Sequence, residues 1–100
     1  FGFGYEDGPK LNPMEFIEHF HDRIISIHIK DKTSFKNPYV SNTNQVWGQG
    51  ETPLKEILHL VRDKYPQIYC DVELEYMVPQ WSTPEKEIKT CVEYARQILI

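Results

Sequence analysis

One hundred residues, 40% of them apolar and 13 aromatic, suffice for one modest core and are too few for two domains. The formal charge of −4, with a sequence pI near 5.5, disfavours a nucleic-acid groove or an anionic membrane surface as partner, since both call for a basic stripe. No apolar run approaches a membrane span, no export signal opens the chain, and two cysteines make neither a disulfide scaffold nor a zinc cluster, so the expectation is a cytoplasmic globular piece.

The first residues, FGFGYEDG, do not begin with Met and read as cut from something longer. Helix starts follow at Asn12-Pro13, Thr52-Pro53 and Thr83-Pro84. In each, a small polar side chain can cap the free amides of the first turn, and proline follows where its missing donor costs nothing. Glu15, three residues after Asn12, completes a variant of the capping box. Met14, Ile17 and Phe20, with Phe16 beside them, predict a short first helix ending near His21 and Asp22. Leu54, Ile57, Leu58 and Val61 predict a second, closed by Tyr65-Pro66. Ile88, Cys91, Val92, Ala95 and Leu99 predict a third, with Glu85 and Glu87 favouring its positive N-terminus.

Between the helices lie two segments of period two, RIISIHIKD (23–31) and IYCDVELEY (68–76), which predict strands. Ile25, Ile27 and Ile29 form one face of the first, and Ile24, Ser26, His28 and Lys30 the other. Cys70, Val72 and Leu74 alternate with Asp71, Glu73 and Glu75 in the second. A helical crossover between strands implies a parallel sheet. Such sheets are normally apolar on both faces, whereas one face here grows polar toward the carboxyl end of each strand. A barrel resolves the conflict, because inward residues at the strand ends line its mouth. The fold class predicted is α/β: residues 1–100 as the last two to three units of a (β/α)8 barrel, an incomplete single domain. The segment 33–51 is predicted to be one long loop.

His28 and Glu73 fall late on the inward face of successive parallel strands, and strands spaced about 4.8 Å apart let their side chains converge. An imidazole and a carboxylate suit a divalent ion such as Mn, Mg, Co or Zn. A hydrogen-bonded rim histidine and a solvated glutamate pair are the plainer alternatives. Lys30 and Asp31 either end the strand as an exposed ion pair or offer a cation and an acid to a phosphate or hydroxyl. The WGQGETP segment can cradle an anion or serve as a tight turn before a helix. Trp47, with Tyr39, Tyr76 and Trp81, can stack on a sugar ring or pack over the barrel rim. Cys70, facing the helices, and Cys91, on an apolar stripe, read as buried structural thiols. No nucleophile elbow, phosphate loop or dinucleotide fingerprint is present.

Taken in order, HDRIISIHIKDK, WGQGETPLKEIL and DVELEY resemble the closing strands of the xylose isomerase-like TIM barrels, over nearly the whole chain. That resemblance implies a metal-dependent sugar or sugar-phosphate isomerase or epimerase. It implies His28 as a metal ligand and Glu73 as both ligand and proton-transfer group. Lys30, Asp31, Trp47 and Glu75 are the expected substrate contacts. Tyr5 joins them, standing where sugar epimerases of the family carry a substrate-contacting histidine. Gly2 stands where they carry an aspartate ligand, and Asn42, Thr43 and Asn44 stand where the DNA-repair branch carries Asp-Arg-His. Both are departures from the pattern. The second disfavours a DNA substrate, and the first favours the rival reading, a non-catalytic binding or assembly module. The expected partners are a small sugar ligand and either further copies of the chain or the rest of the barrel.

Overall fold

A computed structural model of the chain describes residues 12–33 and 44–100. Helix α1 (Pro13–Phe20) runs into a turn of 3-10 helix at His21–Arg23, followed by strand β1 (Ser26–Ile29). Two short strands, β2 (Asp31–Lys32) and β3 (Asn44–Gln45), precede helix α2 (Leu54–Lys64). Strand β4 (Tyr69–Val72) and helix α3 (Pro84–Leu99) complete the order.

The predicted parallel pairing is present. Strands β1 and β4 run in the same direction, with Ser26 opposite Tyr69 and His28 opposite Asp71, and α2 lies on the crossover between them. The ladder extends past both strands, since Tyr69 N–H donates to Ile25 O and Glu73 N–H to Ile29 O, each at 3.0 Å. The described residues thus form an α/β fold of three α-helices and a small parallel sheet. A second sheet reaches into the segment 33–51 predicted to be a loop: β3 lies within it and pairs antiparallel with β2, which directly precedes it, with Asp31 opposite Gln45. Two residues per strand carry no periodicity, so only the fold itself brings this pair together.

Burial follows the strand period where the sequence was most apolar. Ile27 and Ile29 are buried while Ser26 and His28 are exposed. Ile25 precedes the strand and is 79% exposed, so it does not share the face assigned to it. Against Ile27 and Ile29 gather Ile17 from α1, Leu54, Ile57, Leu58 and Val61 from α2, Ile68, and Cys91 from α3. Complete burial of an aliphatic side chain contributes about 1.5–3 kcal/mol, so this cluster dominates the stability.

Two of the three proline-marked helix starts behave as predicted. Asn12 Oδ1 accepts from Met14 N–H at 2.9 Å, and Thr83 Oγ1 accepts from Lys86 N–H at 3.3 Å. Thr52 does not cap α2, which begins one residue past Pro53. Its buried hydroxyl instead accepts from Lys32 N–H at 3.1 Å, fastening the approach of α2 to β2. In α3 the stripe is rotated from the predicted one: Ile88 is 47% exposed and Glu87 is buried. Glu87 Oε1 accepts from the Tyr76 hydroxyl at 3.0 Å and Oε2 from the Ser82 hydroxyl at 2.7 Å, which supplies the partners a buried carboxylate requires. Burial, and then the bond to Glu87, push the Tyr76 phenol well above its usual range. Among the described residues no helix is long and apolar enough to cross a membrane.

Candidate functional site

The carboxyl ends of β1 and β4 bring together four of the polar residues singled out from sequence, His28, Lys30, Glu73 and Glu75. Parallel register places Lys30 beside Glu73, and the Glu73 main chain is tied to β1 through Ile29 O. Their side chains emerge on the face shared with His28, away from Ile27 and Ile29. Glu73 Oε2 lies 3.1 Å from His28 Nδ1 and 3.3 Å from Lys30 Nζ. That oxygen is shielded from solvent, and neither nitrogen meets it in hydrogen-bonding line. Lys30 Nζ also donates to Glu75 Oε2 at 3.1 Å.

Glu75 sits with φ +52, a left-handed conformation uncommon outside glycine and asparagine. Asn44, from β3, helps to hold it: Nδ2 donates to Glu75 O at 3.3 Å and approaches Oε2 at 3.4 Å. Asn44 is therefore a member of the cluster that sequence reasoning treated only as a departure from a DNA-repair pattern. No local signal identifies it, because its place depends on the β2–β3 pairing. The Glu73 carboxyl first, and the Lys30 ammonium second, hold the Glu75 carboxyl below the usual carboxylate range. Burial works against the Lys30 charge, but the hydrogen bond to Glu75 and the neighbouring Glu73 carboxylate outweigh it and raise the ammonium above its ordinary value. The result is a charge network of mixed sign at one end of a parallel sheet.

Asp31 does not join this cluster. It is 1% exposed, and its carboxylate is consumed by main-chain donors. Oδ2 accepts from Gly48 and Gly50 N–H, each at 2.9 Å, and Oδ1 from Thr52 N–H at 3.1 Å. The glycine pair of WGQGETP does cradle an anion, and the anion is the chain's own aspartate. Gly50 is required there, because a Cβ would overlap the Asp31 carboxylate and come within 2.6 Å of Lys32 O. Gly48 has φ +92 and lies against the Tyr94 ring.

Trp47 is likewise withdrawn from the mouth. It is 6% exposed and packs edge-to-face on Tyr94, with ring centroids 6.3 Å apart. Its indole Nε1 is buried without a hydrogen-bond partner. Tyr76 is buried against α3, whereas Trp81 is 81% exposed. Tyr5, Gly2 and Tyr39 lie outside the described residues. Burial raises the thiol pKa of both Cys70 and Cys91, which suits structural cysteines and not thiolate nucleophiles.

His28 and Glu73 match a divalent ion in donor chemistry, and the shielded, unaligned Oε2 is the kind of oxygen a cation would satisfy. Among the described residues no third His, Cys, Asp or Glu joins them to make a metal-holding group. A separate groove of about 470 Å³, lined by Lys55, His59, Tyr94, Gln97, Ile98 and Ile100, shares no residue with the cluster. Comparison of the chain with protein-family models, with curated proteins and with solved structures returned no match.

Proposed function

We propose that the chain is the closing portion of a xylose isomerase-like (β/α)8 barrel and contributes part of the active site of a sugar or sugar-phosphate isomerase or epimerase. The observation that carries this reading is the meeting of His28, Lys30, Glu73 and Glu75 at the carboxyl ends of two parallel strands, where barrel enzymes place their chemistry. The outer edges of β1 and β4, which pair with no other strand among the described residues, would pair with further barrel strands, in a cytoplasmic setting. His28 and Glu73 would hold a divalent ion (Mn, Mg, Co or Zn), with further donors from outside the described residues. When bound, the ion would polarise the substrate carbonyl and hydroxyl oxygens. Glu73 would move the proton between neighbouring carbons, assisted by a second carboxylate. Lys30 and Glu75 would meet substrate oxygens at the rim.

The test is deuterium wash-in from heavy water at the carbon beside the carbonyl, across a panel of aldoses, ketoses and their phosphates. In the full-length protein Glu73→Gln should reduce exchange by a factor of a thousand or more, on the order of 4 kcal/mol, while leaving the far-UV spectrum unchanged. Wild-type exchange in that variant would remove Glu73 from the reaction. The rival reading, a non-catalytic assembly module, draws on the outer edges of β1 and β4, which pair with no other strand among the described residues, and expects no exchange with any sugar.

A further inference from the structure

The left-handed conformation at Glu75 has a local cause and a distant one. Locally, Tyr76 N–H donates to Leu74 O at 2.7 Å, so Glu75 is the central residue of a γ-turn. With φ +52 the turn has the rare, strained hand, which a residue bearing a Cβ keeps only where surrounding contacts hold it there. The turn also ends the advance of β4. An extended chain would carry the Glu75 backbone about 6.6 Å beyond that of Glu73. Here both carboxylates reach one ammonium, Lys30 Nζ, Glu75 at 3.1 Å and Glu73 at 3.3 Å.

Contacts hold the turn from two sides. From β3, Asn44 Nδ2 donates to Glu75 O at 3.3 Å. From α3, Glu87 Oε1 accepts from the hydroxyl of Tyr76, a residue only 7% exposed and next in the chain to Glu75. Glu87 Oε2 accepts from the Ser82 hydroxyl, so one buried carboxylate fastens both ends of the segment 76–82. Asn44 reaches the turn from a strand of two residues, whereas Glu87 stands on a helix of sixteen, which makes it the stiffer anchor.

We propose that Glu87 is a positioning residue for the strand-end cluster: by holding Tyr76 and Ser82 it maintains the strained turn that directs the Glu75 carboxylate to Lys30. Glu87 acts through the chain and not by contact with the reacting groups. Its effect on a reaction rests on the reading of the cluster as part of an active site, whereas the mechanical link from Glu87 to Glu75 does not.

The experiment follows Glu75 by NMR in the full-length protein, through its Cα and Cβ chemical shifts and its amide–Hα coupling, which report φ. The samples are wild type, Glu87→Ala, Glu87→Gln and Tyr76→Phe. Glu87→Ala and Tyr76→Phe should move the Glu75 signals to extended values. Glu87→Gln should keep them, because both hydroxyls can rotate to suit an amide. Glu18 and Tyr65, whose contact joins α1 to the end of α2, should keep their signals throughout and so report an intact fold. Deuterium exchange with the sugar panel should fall about tenfold in the two disruptive variants and stay at the wild-type rate in Glu87→Gln. Unchanged Glu75 signals in both disruptive variants overturn the proposal and leave Asn44 as the holder of the turn. Shifted Glu75 signals beside undiminished exchange overturn the positioning role and leave the other groups of the cluster standing. Absence of exchange in wild type overturns the active-site reading instead, and the Glu75 signals then decide the mechanical link. If Glu87→Ala fails to fold, Tyr76→Phe, which keeps its ring in the core, carries the same expectation and the same refutation.

Discussion

Replacing Asp31 by alanine should destabilise the fold far more than a surface substitution does. The carboxylate accepts three main-chain hydrogen bonds, from Gly48, Gly50 and Thr52, and bonds to a charged acceptor contribute about 1.5–3 kcal/mol each. These contributions do not simply add. Gly48 is exposed and Gly50 half-buried, so water can recover part of the loss there, whereas Thr52 is buried. A net cost of about 3–5 kcal/mol follows, a large share of the roughly 5–15 kcal/mol that holds a domain of this size together. Thermal melting by circular dichroism should then shift down by about 12 °C or more. In urea the midpoint should fall with little change in slope. Asp31→Asn should lie between, since one oxygen survives while the new amide points a donor at another donor. A melting shift below about 4 °C for Asp31→Ala would refute the argument and return Asp31 to the ligand-contacting role expected from sequence.

Substitutions at three other positions separate capping from cross-linking: Asn12→Ala and Thr83→Ala should each cost about 1 kcal/mol in urea melts, as lost caps do. Thr52→Ala should cost about 1–3 kcal/mol by withdrawing the acceptor from the buried Lys32 N–H, and Thr52→Ser should restore most of it. Equal damage from Ser and Ala at position 52 would show that the hydroxyl does not matter. Acid should weaken the fold through Glu18 and Glu75. The Tyr65 hydroxyl first and Lys64 second hold Glu18 below its ordinary value of 4.5, as Glu73 and Lys30 do for Glu75. Carboxyls lowered by folding add stability above that value and lose it as pH falls through the lowered one. The urea midpoint should therefore drop between roughly pH 5 and pH 3, less steeply in Tyr65→Phe, and an identical slope in that variant would exclude the Tyr65–Glu18 contact as a cause.

How much of this was legible before coordinates depended on the range of the interaction. The caps at Asn12 and Thr83 act within three residues, so they could be read directly. The direction of β1 and β4 followed from the helix between them, and the meeting of His28 with Glu73 followed from strand parity. Thr52 misled because its partner, Lys32, is twenty residues away, and a hydroxyl before proline looks the same whether it caps or cross-links. Asp31 misled for a related reason: an acid after a strand looks like a rim residue until the glycine turn folds over it. Glu87 shows the same limit, for a carboxylate at the start of a helix reads as a dipole partner although Tyr76 and Ser82 draw it inward.

The pairing of Ser26 with Tyr69 spans forty-three positions of chain. Drawing the ends of such a span together costs roughly 3 kcal/mol in lost freedom before any contact repays it. Early docking of the helix that bridges the gap would act as a splint for partners that cannot find each other locally. On that route strand joining would follow, and the cluster of opposite charges at the far end would form after it. A mutation that loosens α2 would thus slow the maturation of a region it never touches, and refolding speed would register the damage before any ligand did.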